Sequence, residues 1–402
     1  MITRIYDDLT PYLQPNRVLV LYGARRTGKT VLLNQFLNKT TLKYLLVTGE
    51  DASVQEVFTS QSVDRIRRFA EGYELIAIDE AQHIPHVGKG LKILVDHVAR
   101  IKVIATGSAS FDLANKIGEP LTGRQQRLFL YPIAQLELQK DMNNYELQQK
   151  KEEYLIYGAY PEVLTKSTLE EKENYLRELV NSYLLKDILE LENVKGSKIL
   201  LDLLRLLAFQ VGNEVSHTEL GSNLSIDAKT VTRYLDLLEK GFILVNIRGF
   251  SRNLRKEISK KGKYYFYDNG IRNAIINNFN PLNLRDDAGK LWENFLAMER
   301  IKKQAYANIH ANNYFWRTYD QKEIDWIEER DGKLFGYEFK WSTKKTISAP
   351  KDWLTTYDNA TFEIITPNNY LDFIGLGKYF GILPDFPDVV KKRSFRKRSI
   401  NL

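Results

Sequence analysis

The 402-residue sequence contains no cysteine and only five histidines. The lack of cysteine excludes disulfide bridges, thiolate nucleophiles and cysteine-ligated zinc or iron–sulfur sites, and five histidines leave little material for a histidine-rich metal centre. No apolar run approaches the ~18–20 residues that a membrane-spanning helix needs, and the first residues lack the basic-then-apolar order of a signal peptide. We therefore expect a cytoplasmic protein with no membrane partner.

The excess of one sign of charge is also small, because 58 basic residues are nearly balanced by 51 acidic ones and leave a net charge of +7. This small excess favours a polyanionic partner such as DNA. The composition, with 43% hydrophobic and 27% charged residues, is that of a folded chain and excludes the disordered and collagen-like classes. At roughly 100–200 residues per domain, the length predicts two to four domains.

A glycine-bearing loop lies between a predicted strand and a predicted helix near the start of the chain. Residues 17–22 are an apolar run of strand length, and residues 31–37 place apolar side chains at helical spacing. The loop between them reads Gly-Ala-Arg-Arg-Thr-Gly-Lys-Thr, which in this context predicts a phosphate-binding loop rather than an ordinary turn. The predicted ATP-binding residues are those of the loop together with one residue of a later strand: Gly23, Ala24, Arg25, Arg26, Thr27, Gly28, Lys29, Thr30 and Ser108.

The residue types in the loop suit a bound triphosphate. Gly23 and Gly28 let the backbone wrap the phosphates so that successive amides point inward, and the following helix adds its positive end. Lys29 would reach the β- and γ-phosphates, and the hydroxyl of Thr30 would hold Mg²⁺. The sequence therefore predicts ATP and Mg²⁺ as cofactors.

Two later apolar strands end in polar residues. One ends in Asp79 and Glu80, a Walker-B pattern. Asp79 would complete the Mg²⁺ shell through water. Glu80 would act as the catalytic residue that polarises the attacking water. The alternative for Glu80 is an acid in a solvated loop with no catalytic role. The second strand, residues 101–108, ends in hydroxyls. Thr106 or Ser108 would sense the γ-phosphate, and spacing does not choose between them.

Four segments together resemble the prokaryotic AAA-type ATPases of largely unknown function. These segments are Gly23-Ala-Arg-Arg-Thr-Gly-Lys-Thr30, Ile78-Asp-Glu-Ala-Gln82, Ala105-Thr-Gly-Ser-Ala-Ser110 and Leu121-Thr-Gly-Arg124. The resemblance implies an AAA-type ATPase core in residues 1–140 and a C-terminal region with a restriction-endonuclease-like core. It also implies a catalytic Arg124, either as an arginine finger acting in trans within a homo-oligomer or as a sensor in cis. An arginine that ends a surface turn is the alternative, and Arg127 competes for the role.

Residues 141–194 are expected to form an all-helical lid over the nucleotide. Helical periodicity dominates residues 172–191. Residues 154–162 end in Gly-Ala-Tyr-Pro-Glu and resemble the Gly-Gly-x-Pro-Glu segment that follows the ATPase core in this family, with Ala159 in place of the second glycine.

Residues 195–280 have the order of a winged-helix domain: helix, turn, helix and two strands. A short helix opens at Ser216, a second helix covers residues 228–240, and strands cover residues 242–248 and 264–267. The residues predicted to contact DNA lie on the second helix: Lys229, Thr232 and Arg233. The loop between the strands adds basic residues: Arg252, Arg255, Lys256, Lys260, Lys261 and Lys263. The alternative is a winged helix that packs against another domain and never touches nucleic acid.

Residues 281–388 resemble the PD-(D/E)xK nucleases. An amphipathic helix over residues 287–302 precedes predicted strands over residues 314–319, 323–327 and 334–341. The predicted Mg²⁺ ligands are three acids, Asp325, Glu338 and Glu293. The predicted catalytic residue is Lys340, which would orient the attacking water. The alternatives are cross-strand charge pairs and a core that has lost its activity. A basic tail, residues 389–402, is either a DNA-contacting arm or a solubilising end.

The predicted fold class is α/β: an AAA-type P-loop NTPase parallel sheet with a helical lid, a winged-helix domain and a C-terminal α/β restriction-endonuclease-like domain. The predicted function is ATP binding and hydrolysis that couples nucleotide state to DNA engagement, with a metal-dependent nuclease core. The main alternative is an ATP-dependent regulatory switch whose C-terminal domains bind protein and whose nuclease-like core is inactive. A free-standing nuclease with an accessory ATP site is a third class.

Overall fold

The computed structural model describes residues 2–108, 121–184, 197–251, 261–318, 322–342 and 349–376. The predicted basic tail at residues 389–402 lies outside these residues, as do the wing-loop residues Arg252, Arg255, Lys256 and Lys260. None of the helices in the described part of the chain is both long and apolar enough to cross a membrane.

The N-terminal part is built on a five-stranded parallel sheet. Its strands are β1 (Arg17–Tyr22), β2 (Tyr44–Thr48), β3 (Leu75–Asp79), β4 (Lys102–Gly107) and β5 (Gln125–Phe129). They lie in the order β2-β3-β4-β1-β5, and every pair is parallel. The three central strands are almost continuously apolar and buried, which is expected for a parallel sheet covered on both faces.

Helices cover the two faces of this sheet. They are α1 (Lys29–Leu37), α2 (Ala52–Thr59), α3 (Val63–Ala70) and α4 (Val87–His97). Alternate residues of β1 enter different cores: Leu19 and Leu21 share one with the apolar side of α1, whereas Val18 and Val20 share the other with α2, α3 and α4. This alternation follows from the two-residue side-chain period of a strand.

A helical region follows the sheet. Its helices are α5 (Gln135–Leu138), α6 (Asn144–Gln149), α7 (Lys151–Tyr157), α8 (Pro161–Thr165), α9 (Leu169–Glu178) and α10 (Ser197–Phe209), with a π-helical segment at Leu179–Leu184. The helix expected to start at residue 172 starts three residues earlier, because Thr168 caps it and Glu171 completes a capping box. Residues 185–196, which include the end of that predicted helix, lie outside the described residues.

The C-terminal part is built on a seven-stranded mixed sheet. Its strands are β6 (Glu214–Val215), β7 (Leu244–Gly249), β8 (Gly262–Phe266), β9 (Asn312–Arg317), β10 (Glu323–Arg330), β11 (Lys333–Phe339) and β12 (Ala360–Ile365). The strand order is β12-β11-β10-β9-β7-β8-β6. The associated helices are α11 (His217–Leu224), α12 (Ala228–Lys240), α13 (Asn269–Ile275), α14 (Ala288–Tyr306), α15 (Lys351–Thr356) and α16 (Tyr370–Phe373).

This second sheet is continuous across the boundary predicted between residues 280 and 281. Strands β7 and β9 pair in parallel, with Arg248 opposite Tyr314 and Gly249 opposite Phe315. The pairing satisfies backbone groups that two separate sheets would each expose at an edge. The segments expected to form a wing and a nuclease-like core therefore share one sheet.

A buried ion pair ties the N-terminal segment to the phosphate-binding loop. Arg4 Nε donates to Glu137 Oε1 at 2.8 Å, and both side chains are buried. The same guanidinium donates to the carbonyl oxygens of Thr27, in the loop, and Tyr131, after β5. Glu137 in turn accepts from the backbone amides of Ile5 and Ala134. One cation thus holds three separate chain segments together.

Replacement of Arg4 by methionine is expected to destabilise the N-terminal part by about 3–5 kcal/mol, because it leaves the Glu137 carboxylate buried without its cation. Arg65→Met is the matched control, since the Arg65–Glu56 pair is exposed and such pairs contribute about 0–1 kcal/mol. Urea unfolding midpoints measure the effect. Equal midpoints for the two variants would contradict a structural role for the Arg4 ion pair.

Candidate functional site

The phosphate-binding loop follows β1 and leads into α1. A Cβ atom at Gly23 would lie 2.2 Å from the carbonyl oxygen of Leu130, so only glycine fits there. Gly28 caps α1 in a left-handed conformation, with φ of +94°. These two glycines let the chain turn sharply from the sheet into the helix.

Side chains of the loop also bond to the loop's own backbone. The ammonium of Lys29 is buried and donates to the carbonyl oxygens of Gly23 and Ala24, at 2.9 Å each. The hydroxyl of Thr27 donates to the Ala24 carbonyl oxygen at 2.8 Å. Lys29 therefore lies on the inner side of the loop.

The loop meets the Walker-B strand through hydroxyl and carboxylate groups. Thr30 Oγ1 donates to Asp79 Oδ2 at 2.8 Å, and the hydroxyl of Thr106 donates to the other oxygen of the same carboxylate. Strands β1, β3 and β4 are parallel neighbours, so their carboxyl ends bring these three residues together. A threonine hydroxyl and a carboxylate are the hard oxygen donors that Mg²⁺ prefers, so Thr30 and Asp79 fit this ion.

Glu80 is held by a second set of contacts at the same edge. Its backbone has φ of +50°, and its amide donates to Thr106 Oγ1 at 3.0 Å. The side-chain amide of Gln82 donates to the Glu80 carboxylate and, at 3.1 Å, to Ser108 Oγ. The two hydroxyls that spacing could not distinguish thus differ in position: Thr106 contacts Asp79, whereas Ser108 lies 3.5 Å from a carboxylate oxygen of Glu80.

Gln82 was not among the predicted site residues. It stands in a 3₁₀ turn, Ala81–His83, directly after the strand that ends in the two acids. Its signal in the sequence is its place in the Ile78-Asp-Glu-Ala-Gln82 segment, two residues after Glu80. Its position next to Glu80 depends on that turn, which the sequence alone did not reveal.

One of the two loop arginines, Arg26, lies toward the helical region. Arg26 is exposed, has φ of +62°, and is close enough to Tyr175 on α9 to influence that phenol. Burial raises the pKa of Tyr175, and the positive charge of Arg26 opposes this rise. Arg25 is half-buried. The helical region therefore approaches the loop at Arg26.

Arg124 does not lie near the phosphate-binding loop of its own chain. Its carbonyl oxygen pairs with the amide of Val18, so it stands at the start of β5 beside the start of β1. The loop follows the other end of β1, roughly 16 Å away for five residues of strand. Arg124 instead donates to Asp96 Oδ1 at 2.6 Å. The predicted cis sensor role is therefore not compatible with this geometry, and action in trans stays a prediction.

Arg127, the competing candidate, also lies on β5. Its guanidinium carbon stands 6.0 Å from the centroid of the Tyr22 ring, at the end of β1 that leads into the loop. Arg127 is thus nearer the loop than Arg124 along the same pair of strands. Its role as the alternative to Arg124 stays a prediction.

The four predicted residues of the nuclease-like core do come together. Asp325 on β10 and Glu338 on β11 lie next to the paired residues Trp326 and Tyr337, and Asp325 Oδ2 accepts from the Phe339 amide at 2.8 Å. Lys340 Nζ lies 2.6 Å from Glu338 Oε1. Glu293 reaches the group from α14.

A fifth residue, Lys263 on β8, stands inside this cluster. Its ammonium lies 3.3 Å from Glu293 Oε1 and 3.8 Å from Asp325 Oδ1. Lys263 was predicted to be one of the basic residues of the loop between the two wing strands, whereas here it lies on β8 and is buried. Across the described ranges, no group of three or more acidic or histidine side chains is arranged to hold a metal ion. The three acids thus do not fit a ready-made Mg²⁺ site.

Burial perturbs the protonation of the cluster. Burial raises the pKa of Glu293 to about 7 and that of Glu338 to about 7, and it also raises the pKa of Asp325. Burial by itself would lower the pKa of Lys263, but the surrounding carboxylates outweigh it and raise that pKa. The ammonium therefore keeps its charge.

The predicted DNA-binding residues differ in their availability. Lys229 and Arg233 are exposed on α12. The hydroxyl of Thr232 donates to the Ala228 carbonyl oxygen at 2.9 Å and lies 2.9 Å from Nδ1 of His217. The helix surface therefore presents two cations, of which Arg233 also stands 5.4 Å from the centroid of the Tyr234 ring.

Comparison with known families divides the chain into three matched segments. Residues 15–139 match the family model of the AAA domain. The protein carries a P-loop ATPase domain. Residues 148–282 match a domain of unknown function, DUF8612, and residues 288–369 match another, DUF4143.

Proteins similar to this chain occur in bacteria and archaea. An uncharacterized protein of Mycobacterium tuberculosis is 26% identical over 88% of this chain and 77% of its own length. An uncharacterized protein of Haemophilus influenzae is 24% identical over 90% of this chain and 92% of its own length. An uncharacterized protein of Methanocaldococcus jannaschii is 24% identical over 91% of this chain and 85% of its own length. Among solved structures, a Walker-type ATPase of Pyrococcus abyssi is similar, with 16% identity and a TM-score of 0.43 over 64% of this chain and 91% of that one.

Replacement of Lys29 by alanine is expected to weaken ATP binding to the ATPase domain by about 10- to 100-fold, because charged hydrogen bonds to phosphate are lost. Lys39→Ala, an exposed lysine just after α1, is the control and should bind as the unaltered protein does. Isothermal titration calorimetry with ATP and Mg²⁺ measures both. Unchanged affinity in Lys29→Ala would contradict the role assigned to this loop.

Proposed function

We propose that this protein binds and hydrolyses ATP and uses its nucleotide state to control the engagement of DNA by its C-terminal part. The observation that carries the proposal is the convergence of Lys29, Thr30, Asp79 and Glu80 at one edge of the parallel sheet. Each has the chemical type that phosphoryl transfer to water requires at its position.

Each of these side chains would have a separate role in ATP binding or hydrolysis. Lys29 would exchange its contacts with loop carbonyls for the β- and γ-phosphates. Thr30 and Asp79 would hold Mg²⁺, which neutralises phosphate charge when bound. Glu80 would polarise the attacking water, and Gln82 would orient the Glu80 carboxylate through the hydrogen bond between them. Arg124 would serve the nucleotide of a neighbouring copy in a homo-oligomer.

One route from the loop to the C-terminal part runs through Arg4. Its guanidinium bonds to the loop carbonyl of Thr27, and the hydroxyl of Tyr306 also influences it. Tyr306 is the last residue of α14, and its hydroxyl accepts from the amide of Tyr131 at 3.2 Å. Helix α14 also carries Glu293 of the acid cluster. A change in loop shape would therefore act on one end of a helix whose other end faces that cluster.

A second route is an aromatic contact between the ATPase domain and the segment that follows α12. Phe129 packs edge-on against Phe242, and Tyr131 stacks on Tyr267 at a centroid distance of 5.9 Å. Both aromatic pairs stand beside the loop, because Phe129 pairs with Tyr22, the residue before Gly23. These contacts support a coupling between nucleotide state and the position of α12.

The DNA surface we propose is the exposed face of α12 in a winged-helix arrangement of α11, α12, β7 and β8. Lys229 and Arg233 would contact phosphates, since both are exposed and positively charged. Thr232 would contribute less, because its hydroxyl is already bonded. The small net positive charge of the chain is consistent with a polyanionic partner.

Replacement of Glu80 by glutamine is expected to keep ATP binding and to lower turnover by about 10²- to 10⁴-fold, because the amide cannot accept a proton from water. Glu71→Gln, an exposed acid after α3, is the matched control and should turn over ATP normally. Phosphate release measures turnover and calorimetry measures binding. Normal turnover in Glu80→Gln would remove Glu80 from this role.

Combined replacement of Lys229 and Arg233 by alanine is expected to weaken binding of duplex DNA. Each lost phosphate contact should reduce the slope of log affinity against log salt by about 0.9. The double variant Lys89→Ala with Lys92→Ala removes the same charge from exposed positions on α4 and serves as control. Fluorescence anisotropy at several salt concentrations measures the slopes. Equal slopes in both double variants would contradict the proposed surface.

The second candidate is an ATP-dependent regulatory switch whose C-terminal domains bind protein. One specific observation favours its inactive nuclease-like core: the ammonium of Lys263 stands among the acids that were predicted to hold a metal. ATP turnover without any DNA binding would favour this candidate over the first. Cleavage of DNA by the purified protein would count against it.

A further inference from the structure

The acid cluster of the C-terminal sheet contains an internal cation contributed by a distant strand. Lys263 belongs to β8, whereas Asp325 and Glu338 belong to β10 and β11, and Glu293 belongs to α14. In the sheet order, β7 and β9 lie between β8 and β10. The long lysine side chain reaches across them, and its exposed fraction is 1%.

Three carboxylates surround the ammonium of Lys263. The nearest, Glu323 Oε1, lies at 2.5 Å, and the oxygens of Glu293 and Asp325 lie at 3.3 and 3.8 Å. The Phe315 ring borders the ammonium, with its centroid 5.3 Å away. Tyr265, two residues along β8, donates its hydroxyl to the same Glu293 oxygen at 2.7 Å. The ammonium is thus enclosed, with acidic oxygens as its partners.

A divalent metal would need the same space. Mg²⁺ requires oxygen ligands at about 2.0–2.1 Å in an octahedral arrangement. A metal shared by Glu293 and Asp325 would lie beside a buried ammonium that both acids already approach, and two cations so close in a buried site repel strongly. Glu338, the third predicted ligand, has its own ammonium, that of Lys340 at 2.6 Å. Each predicted metal ligand therefore already has a lysine as its cation.

We propose that Lys263 is the resident cation of this cluster and takes the position that a divalent metal would need. The C-terminal core then binds no catalytic metal and does not cleave DNA. Its acids serve instead to anchor β8, and with it the segment that follows α12, to the sheet and to α14. A buried, fully paired ammonium suits this role because removal of one partner leaves uncompensated charge.

The first test uses the full chain with its lysine in place. Mn²⁺ is titrated by calorimetry into nucleotide-free protein and into Asp325→Asn, whose amide oxygen can still accept from the Phe339 amide. Because nucleotide is left out, the result is independent of the ATPase proposal. We expect identical titrations. A class of Mn²⁺ sites that is present in the unaltered protein and absent from Asp325→Asn would overturn the proposal.

The second test removes the ammonium. Lys263→Met keeps an unbranched side chain that is one heavy atom shorter and carries no charge, and it is expected to gain a saturable Mn²⁺ site, together with a thermal midpoint that rises with Mn²⁺ concentration. The double variant with Asp325→Asn should lose both gains. Lys333→Met, an exposed lysine at the start of β11, is the control and should gain neither.

The outcomes of the second test are distinct. A Lys263→Met variant that folds only when Mn²⁺ is present supports the proposal, because the metal then replaces the missing ammonium. A folded variant whose Mn²⁺ titration matches that of the unaltered protein overturns it. If Lys263→Met folds neither with nor without Mn²⁺, the first test, which compares the Mn²⁺ titrations of the unaltered protein and Asp325→Asn, decides the proposal.

Discussion

The site depends on a constraint of parallel sheets: strands that run in the same direction end at the same edge. Strands β1, β3 and β4 are neighbours, and the residues that follow or end them are the phosphate-binding loop, Asp79 and Thr106. The hydrogen bonds from Thr30 and Thr106 to the two oxygens of Asp79 join all three strands at this edge. A strand inserted between any two of these three would move their groups apart by about 4.8 Å.

The same edge is connected to the rest of the molecule through buried charge. The Arg4 guanidinium bonds to the loop, to Glu137 and to the chain after β5, and the end of α14 packs beside it at Tyr306. Buried charges of this kind hold a geometry because no solvent replaces a lost partner. The ATPase domain and the C-terminal sheet therefore do not meet through apolar contacts alone.

The C-terminal sheet shows how one composition can serve two purposes. An aspartate and a Glu-x-Lys on adjacent strands suit a metal site, and they equally suit a network of buried ion pairs. What distinguishes the two is whether a cation of the protein already stands between the acids. In this protein Lys263 does so, and it comes from a strand that sequence spacing would not connect with β10 or β11.

The sequence by itself determined the phosphate-binding loop, the Walker-B acids and most elements around them, because these features depend on local periodicity and on residues adjacent in the chain. It also predicted the bounds of β1 without error and those of α12. Only the tertiary structure decided that Arg124 stands at the edge of the sheet opposite the phosphate-binding loop and that Gln82 contacts Glu80. It also decided that β7 joins the two C-terminal segments into one sheet and that Lys263 lies among the acids. Each of these depends on which distant strands become neighbours, and a pattern read along the chain carries no such information.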